Sequence, residues 1–151
     1  MIDDLRQRIA SGDDLIKESL AKAKNDKLDA FVTIIEDAKT ENNAAILSGI
    51  TYVSKDNFST KGILSTASSA SLKDYFPFFD ATVIQKLKDA GAVNIGKTVM
   101  DELGMGGSGT TGHTGAVKNP WDNERITGVS SSGSCAAVAS GIVPFAVGSD
   151  T

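Results

Sequence analysis

Asp80-Ala81-Thr82-Val83-Ile84-Gln85-Lys86-Leu87-Lys88-Asp89-Ala90-Gly91, followed at once by Ala92-Val93-Asn94-Ile95-Gly96, is the stretch that sets the fold class. In its first part Val83, Ile84 and Leu87 fall on one face of a helix, with Asp80 placed as N-cap and Gly91 as the C-terminal stop. The second part reads as a short strand. A helix that feeds directly into a strand, with further strands on either side, predicts an α/β domain.

Upstream, Gly49-Ile50-Thr51-Tyr52-Val53-Ser54-Lys55-Asp56-Asn57 reads as an apolar strand whose end delivers a lysine, an aspartate and an asparagine into a turn. Lys55 at the end of a buried strand is a candidate for a perturbed pKa; a surface lysine that merely follows a strand is the plainer alternative. Ala30 to Ile35 is rich in β-branched residues and reads as a buried strand. Residues Glu36 to Leu47 are weakly helical. From Ile2 to Lys24 apolar residues recur at helical spacing, and Ser11-Gly12-Asp13 breaks them, so the spacing predicts two helices in a hairpin over 1–24. Residues 25–151 form the α/β portion of the same domain.

Downstream, Gly104 to Gly115 is a glycine-rich loop and Lys118-Asn119-Pro120-Trp121-Asp122 a turn, with Trp121 read as a packing anchor. Gly128-Val129-Ser130-Ser131-Ser132-Gly133-Ser134 then runs into Cys135-Ala136-Ala137-Val138-Ala139. That helix is apolar all round, which predicts burial with its N-terminus aimed into a cleft and Cys135 as a small core residue. The same glycines and serines also suit a linker beside a core helix. Ile142 to Val147 reads as the last strand.

Two nucleotide motifs match by letter and not by context. Gly91 to Thr98 satisfies G-x-x-x-x-G-K-[ST], but here the first glycine ends a helix and the intervening residues are strand-like, where a phosphate loop must join a strand to a helix. Gly104 to Gly109 satisfies G-x-G-x-x-G without a clear strand before it or a helix after it.

Composition bounds the rest. The chain has 151 residues, 40% of them hydrophobic, and a net charge of −4, a balance that suits one globular domain and not a basic nucleic-acid footprint. No apolar run reaches the length of a membrane span, and the acidic start Met1-Ile2-Asp3-Asp4 lacks the basic region of a secretory signal. One cysteine suits a reducing compartment, so a cytoplasmic location is expected. The single histidine, His113, has no carboxylate near it in sequence to build a Ser-His-Asp triad. Serines abound, and Lys55 is the one basic side chain placed to activate one. A serine nucleophile with a lysine base is therefore the acyl-transfer chemistry on offer. It requires Lys55 to lose about 3 units of pKa, roughly 4 kcal/mol of desolvation.

Four blocks in this order, Ser54-Lys55-Asp56-Asn57, Met100-Asp101-Glu102 with its glycine loop, Lys118-Asn119-Pro120-Trp121-Asp122, and Gly128-Val129-Ser130-Ser131-Ser132-Gly133-Ser134, resemble the amidase signature family over nearly the whole chain. The branch of it that they resemble most is the A subunits of tRNA-dependent amidotransferases. The resemblance implies a mixed sheet flanked by helices (α/β/α), incomplete in this chain, and a Ser–cis-Ser–Lys mechanism that hydrolyses glutamine to ammonia for converting Glu-tRNA to Gln-tRNA. It implies a heterotrimer with B and C subunits, with tRNA held mainly by the B subunit and ATP and magnesium handled outside this chain, which itself takes no cofactor. Lys55 matches the catalytic lysine and Ser130 the bridging serine, and the peptide before the latter, Val129–Ser130, is expected to be cis. Ser131, Thr151, Met105 and Gly106 match positions that support the loop, the substrate and the oxyanion. Val129 and Ser132 stand where the family has glycines, and Thr127 where it commonly has proline. The family's nucleophile follows Gly-Ser-Asp-Thr-Gly-Gly; this chain stops at Gly148-Ser149-Asp150-Thr151, so the nucleophile would be the third residue beyond Thr151 and the chain alone is expected to be inactive. A small-amide hydrolase of the same superfamily and a non-catalytic module that docks partner subunits are the other expectations.

Overall fold

The computed structural model describes residues 1–42 and 44–150. Two helices open the chain, α1 (Ile2–Ala10) and α2 (Leu15–Lys24). Arg8 ties them, its guanidinium donating to Asp13 and Glu18 at 2.7 Å each. Asp14 caps α2 by accepting from the Lys17 N–H. One face of α2 is buried, the other solvated. α1 buries no residue.

Four strands, β1 (Phe31–Ile34), β2 (Thr51–Lys55), β3 (Val93–Thr98) and β4 (Phe145–Val147), form one sheet in the order β1-β3-β2-β4. β2 lies parallel to β3 and to β4, while β1 joins the edge antiparallel to β3. The mixed α/β sheet expected from the sequence is present. Being an edge, β1 is only half buried along its length, short of the fully buried strand its composition suggested.

Alternation along β2 sends successive side chains to opposite faces. Val53 joins Ala23 of α2, Val93, Ile95 and Ile142 on one face, where α4 (Ser132–Ala139) adds Ala137. Tyr52 points the other way, to Ile84 of α3 (Thr82–Asp89) and Ala92, and stacks on Phe145 at 5.4 Å. Helices thus cover both faces. α3 ends as read: Gly91 has φ +84° and donates to Lys88 O, and Ala92 N donates to Leu87 O, the paired bonds of a Schellman stop. A Cβ at Gly91 would also lie 2.7 Å from Asn42 O, so the position is closed to side chains twice over.

The start of α3 differs from expectation. Its N-cap is Ala81, and Asp80 instead accepts from the Lys61 N–H at 2.7 Å, because the preceding loop competes for that carboxylate. Among its described residues the Glu36–Leu47 stretch forms turns and irregular chain, not a helix; Leu47 N bonds to Ala90 O, and just beyond it Gly49 N bonds to Gly91 O, so long-range partners replace an i→i+4 ladder there. Trp121 is 81% exposed: its turn closes on itself through Asn119 Oδ1, leaving the indole in water. α4 buries only one side. Ser132, Gly133, Ser134, Ala136 and Ala137 pack inward, whereas Cys135 is exposed and Val138 partly so, since a helix packed on one sheet face covers a stripe, not its circumference.

Candidate active site

β3 carries the feature that shapes the site. Tyr52 pairs with Asn94 but Ser54 pairs with Lys97, so three residues of β3 stand against two of β2. The extra residue is a β-bulge, and it reverses the alternation beyond it. Gly96 permits it, because a Cβ there would sit 2.6 Å from Thr33 O and 3.0 Å from the Phe31 ring. Past the bulge Lys55 shares a face with Thr98, towards α4, and Lys97 shares the other with Ser54.

Two fully buried lysines therefore leave the same sheet end in opposite directions. Lys55 Nζ donates to Ser130 Oγ at 2.9 Å and to Ser149 O at 3.0 Å. Burial pushes the ammonium below its ordinary pKa, against the neighbouring acidic groups, Asp101 foremost, which favour protonation. Lys97 Nζ donates to Phe58 O at 2.6 Å and Ser65 Oγ at 2.7 Å, and lies 3.8 Å from Asp56 Oδ1. Burial outweighs Asp56 and pushes Lys97 down to about 8. The phosphate-loop pattern over 91–98 is thus accounted for by a helix stop, a bulge and a buried lysine.

Ser130 and Ser131 sit at the head of α4. Ser131 Oγ donates to Ser149 O at 3.0 Å and accepts from Ser149 N at 3.2 Å, and Asn57 Nδ2 donates to Ser149 Oγ. Behind them Thr98 Oγ1 meets Ser134 Oγ at 2.7 Å, and Ser134 Oγ reaches Val147 O. α4 is seated by Gly133, whose N–H donates to Val99 O and whose missing side chain admits Ala30 O and Val99 N. That N–H is taken inside the fold and does not face the cleft.

The cleft is lined by Gly106, Gly107, Val129, Ser130, Ser131 and Ser149 among others. Gly106 is in it; Met105 is not, its side chain standing 73% exposed, because the loop turns it outward. Thr151 lies outside the described residues. The Val129–Ser130 peptide is trans, contrary to expectation, and no cis bond occurs among the described residues; a non-proline cis bond costs about 3–4 kcal/mol, and the β-branched Val129 adds crowding to it.

Asp101 was visible only as part of a motif. It is fully buried, and its carboxylate accepts from four successive main-chain N–H groups, Ser108 (3.1 Å), Gly109 (3.0 Å), Thr110 (3.0 Å) and Thr111 (3.1 Å), and from Thr111 Oγ1 (2.9 Å). Burial alone would raise this carboxyl, but those donors overcome it and hold the group below the ordinary carboxylate range. Asp56, also fully buried, accepts from Thr66 N and Oγ1 and Ser68 N. This fixes Ala67 and Ser68 at positive φ, and their carbonyls receive Leu103 N and His113 N. The buried carboxylates have a faint sequence signal, Asp at the end of an apolar strand; their donors do not.

The parallel β3–β2–β4 sheet end thus presents a buried lysine to a serine at the head of a small-residue helix. Residues 2–151 match the Amidase family model, and the chain belongs to that family. It is similar to the A subunit of glutamyl-tRNA(Gln) amidotransferase from Lactobacillus acidophilus, 46% identical over 99% of this chain and 33% of that protein, and from Streptococcus pneumoniae, 51% identical over 86% and 29%. The chain spans about a third of the length of these relatives. Among solved structures, the A subunit of the Thermotoga maritima glutamyl-tRNA(Gln) amidotransferase superposes with a TM-score of 0.84 at 40% identity, covering 89% of this chain and 30% of that one. A 6-aminohexanoate cyclic dimer hydrolase superposes at 0.83 with 27% identity, covering 93% and 32%. Among the described residues no helix is long and apolar enough to cross a membrane.

Proposed function

We propose that this chain carries the lysine and bridging serine of a glutamine-hydrolysing amidotransferase A subunit. The observation that carries the reading is the 2.9 Å contact between Lys55 Nζ and Ser130 Oγ, both buried. The nucleophile in this reading is the serine that the family places three residues after the position of Thr151. Neutral Lys55 accepts the Ser130 proton as Ser130 accepts that of the nucleophile, whose Oγ bonds to the amide carbon of glutamine. The protons return along the same path to the leaving nitrogen, which departs as ammonia, and water then hydrolyses the ester to glutamate. Burial lowers the pKa of Lys55 and so raises the neutral fraction that this step needs. Gly106 and Ser131 shape the wall facing the oxyanion.

The B and C subunits complete the cytoplasmic heterotrimer in this reading; ATP and magnesium belong to a partner, and tRNA is held mainly by the B subunit. A second reading, a small-amide hydrolase, is favoured by the structural likeness to the cyclic dimer hydrolase. The test uses the chain joined to its downstream sequence. Lys55→Met should abolish glutamine hydrolysis, and retained activity overturns both readings. Turnover stimulated by the B and C subunits and Glu-tRNA selects the first; turnover of small amides without partners selects the second.

A further inference from the structure

We infer that Asp101 is a positioning residue that ties the two walls of the cleft together, its carboxylate gathering the glycine loop and its own main-chain N–H holding the Ser130 loop. On one side the carboxylate collects the N–H groups of Ser108 to Thr111 and the Thr111 hydroxyl. Successive N–H groups converging on one anion form a nest, here filled from within the chain. On the other side Asp101 N donates to Ser130 O at 3.0 Å. Gly106 rests directly on the carboxylate: a Cβ there would fall 2.6 Å from Asp101 Cγ and Oδ2. Gly106 and Ser130 line the same cleft, so one residue spaces its two walls.

The carboxylate has a second effect. It is buried, and no cation pairs with it among the described ion pairs, so its charge acts on what lies near. The titratable groups that bear on Lys55 are Asp101 after β3, Asp150 after β4 and Cys135 on α4. Asp101 is the strongest of the three in favouring the ammonium. It sets the loop and tempers Lys55 with the same two oxygens. Its service to catalysis rests on the amidase reading; the clamp itself does not.

Asp101→Asn in the 151-residue chain is the test. The amide cannot accept at its nitrogen and carries no charge. Main-chain hydrogen exchange at 108–111 should accelerate by about tenfold or more while Val53 and Ile95 keep their protection. The Lys55 titration midpoint, followed by NMR of its side-chain carbons, should move to lower pH. Unchanged exchange at 108–111, or an unmoved Lys55 midpoint with the loop loosened, overturns the inference, since a purely structural aspartate would leave the midpoint where it is. Thr111→Val serves if the first variant does not fold. It removes one donor and keeps the charge, so exchange should rise at 110–111 with the Lys55 midpoint unmoved, and unaltered exchange overturns the inference. Neither readout involves amide hydrolysis. An intact clamp in a chain whose full-length version lacks Lys55-dependent turnover would overturn the amidase reading alone.

Discussion

Lys97 offers the sharpest quantitative test of the fold. Its ammonium is fully buried on the α3 face, with two neutral acceptors and Asp56 at 3.8 Å, and its pKa falls from 10.5 to about 8. At about 1.36 kcal/mol per pH unit that gap is worth about 3 kcal/mol. The sign follows from proton binding. Between pH 8 and 10.5 the unfolded chain holds a proton on Lys97 that the folded chain has released, so stability rises with pH across that window. Below about pH 8 both states are protonated and the folded state bears the whole penalty; above 10.5 neither does. Lys97→Met removes this dependence while leaving Asp56 without its cation, which costs about 3–5 kcal/mol near neutral pH. Urea unfolding of both proteins at half-unit steps from about pH 7 to 10 isolates Lys97, because the trend from Lys55 and the surface groups is common to both. The stability difference between wild type and variant should widen by about 2 kcal/mol by about pH 9.5. A difference that stays flat across the window refutes the placement of a protonated Lys97 in the core.

Gly133→Ala should lower stability by about 1–3 kcal/mol or more, read by urea midpoint, because the added methyl meets the main chain of Ala30 and Val99 and not a side chain that could yield; a loss under about 0.5 kcal/mol would mean that α4 is not seated as described. Cys135 should react fully with an aromatic disulfide reagent in native buffer, and protection until denaturation would return it to the core. Ser134→Ala should cost about 1–2 kcal/mol, measured by thermal unfolding, as Thr98 Oγ1 and Val147 O both lose a buried partner; no change in Tm would remove that network from the stability of the sheet end.

The local elements were legible because they follow short-range rules. The 80–96 stretch shows its helix, stop and strand in sequence, and Thr51 to Lys55 reads as buried because every residue of it is. Chemistry singled out Lys55, the family resemblance paired it with Ser130, and the two side chains meet. What failed depends on partners distant in the chain. Asp80 lost its capping role to Lys61, and Leu47 bonds to Ala90 instead of propagating a helix. Context set the phosphate-loop match at Lys97 aside, but the direction of its side chain was not legible, because the bulge at Gly96 decides it and the need for that glycine is set by Thr33 across the strand. Cys135 and Trp121 were misplaced for a simpler reason: apolar type predicts burial only where another element arrives to cover it.

The loop from Gly104 to Thr111 answers its dinucleotide-like spelling in an unexpected way. It does fold its amides around an anion, but that anion is the side chain of Asp101, covalently attached a few residues upstream. An external phosphate would have to displace a tethered competitor that never diffuses away, so the ligand is in effect encoded with its receptor. The amide cradle serves as internal scaffolding, and a glycine-rich signature here reports a self-saturated loop.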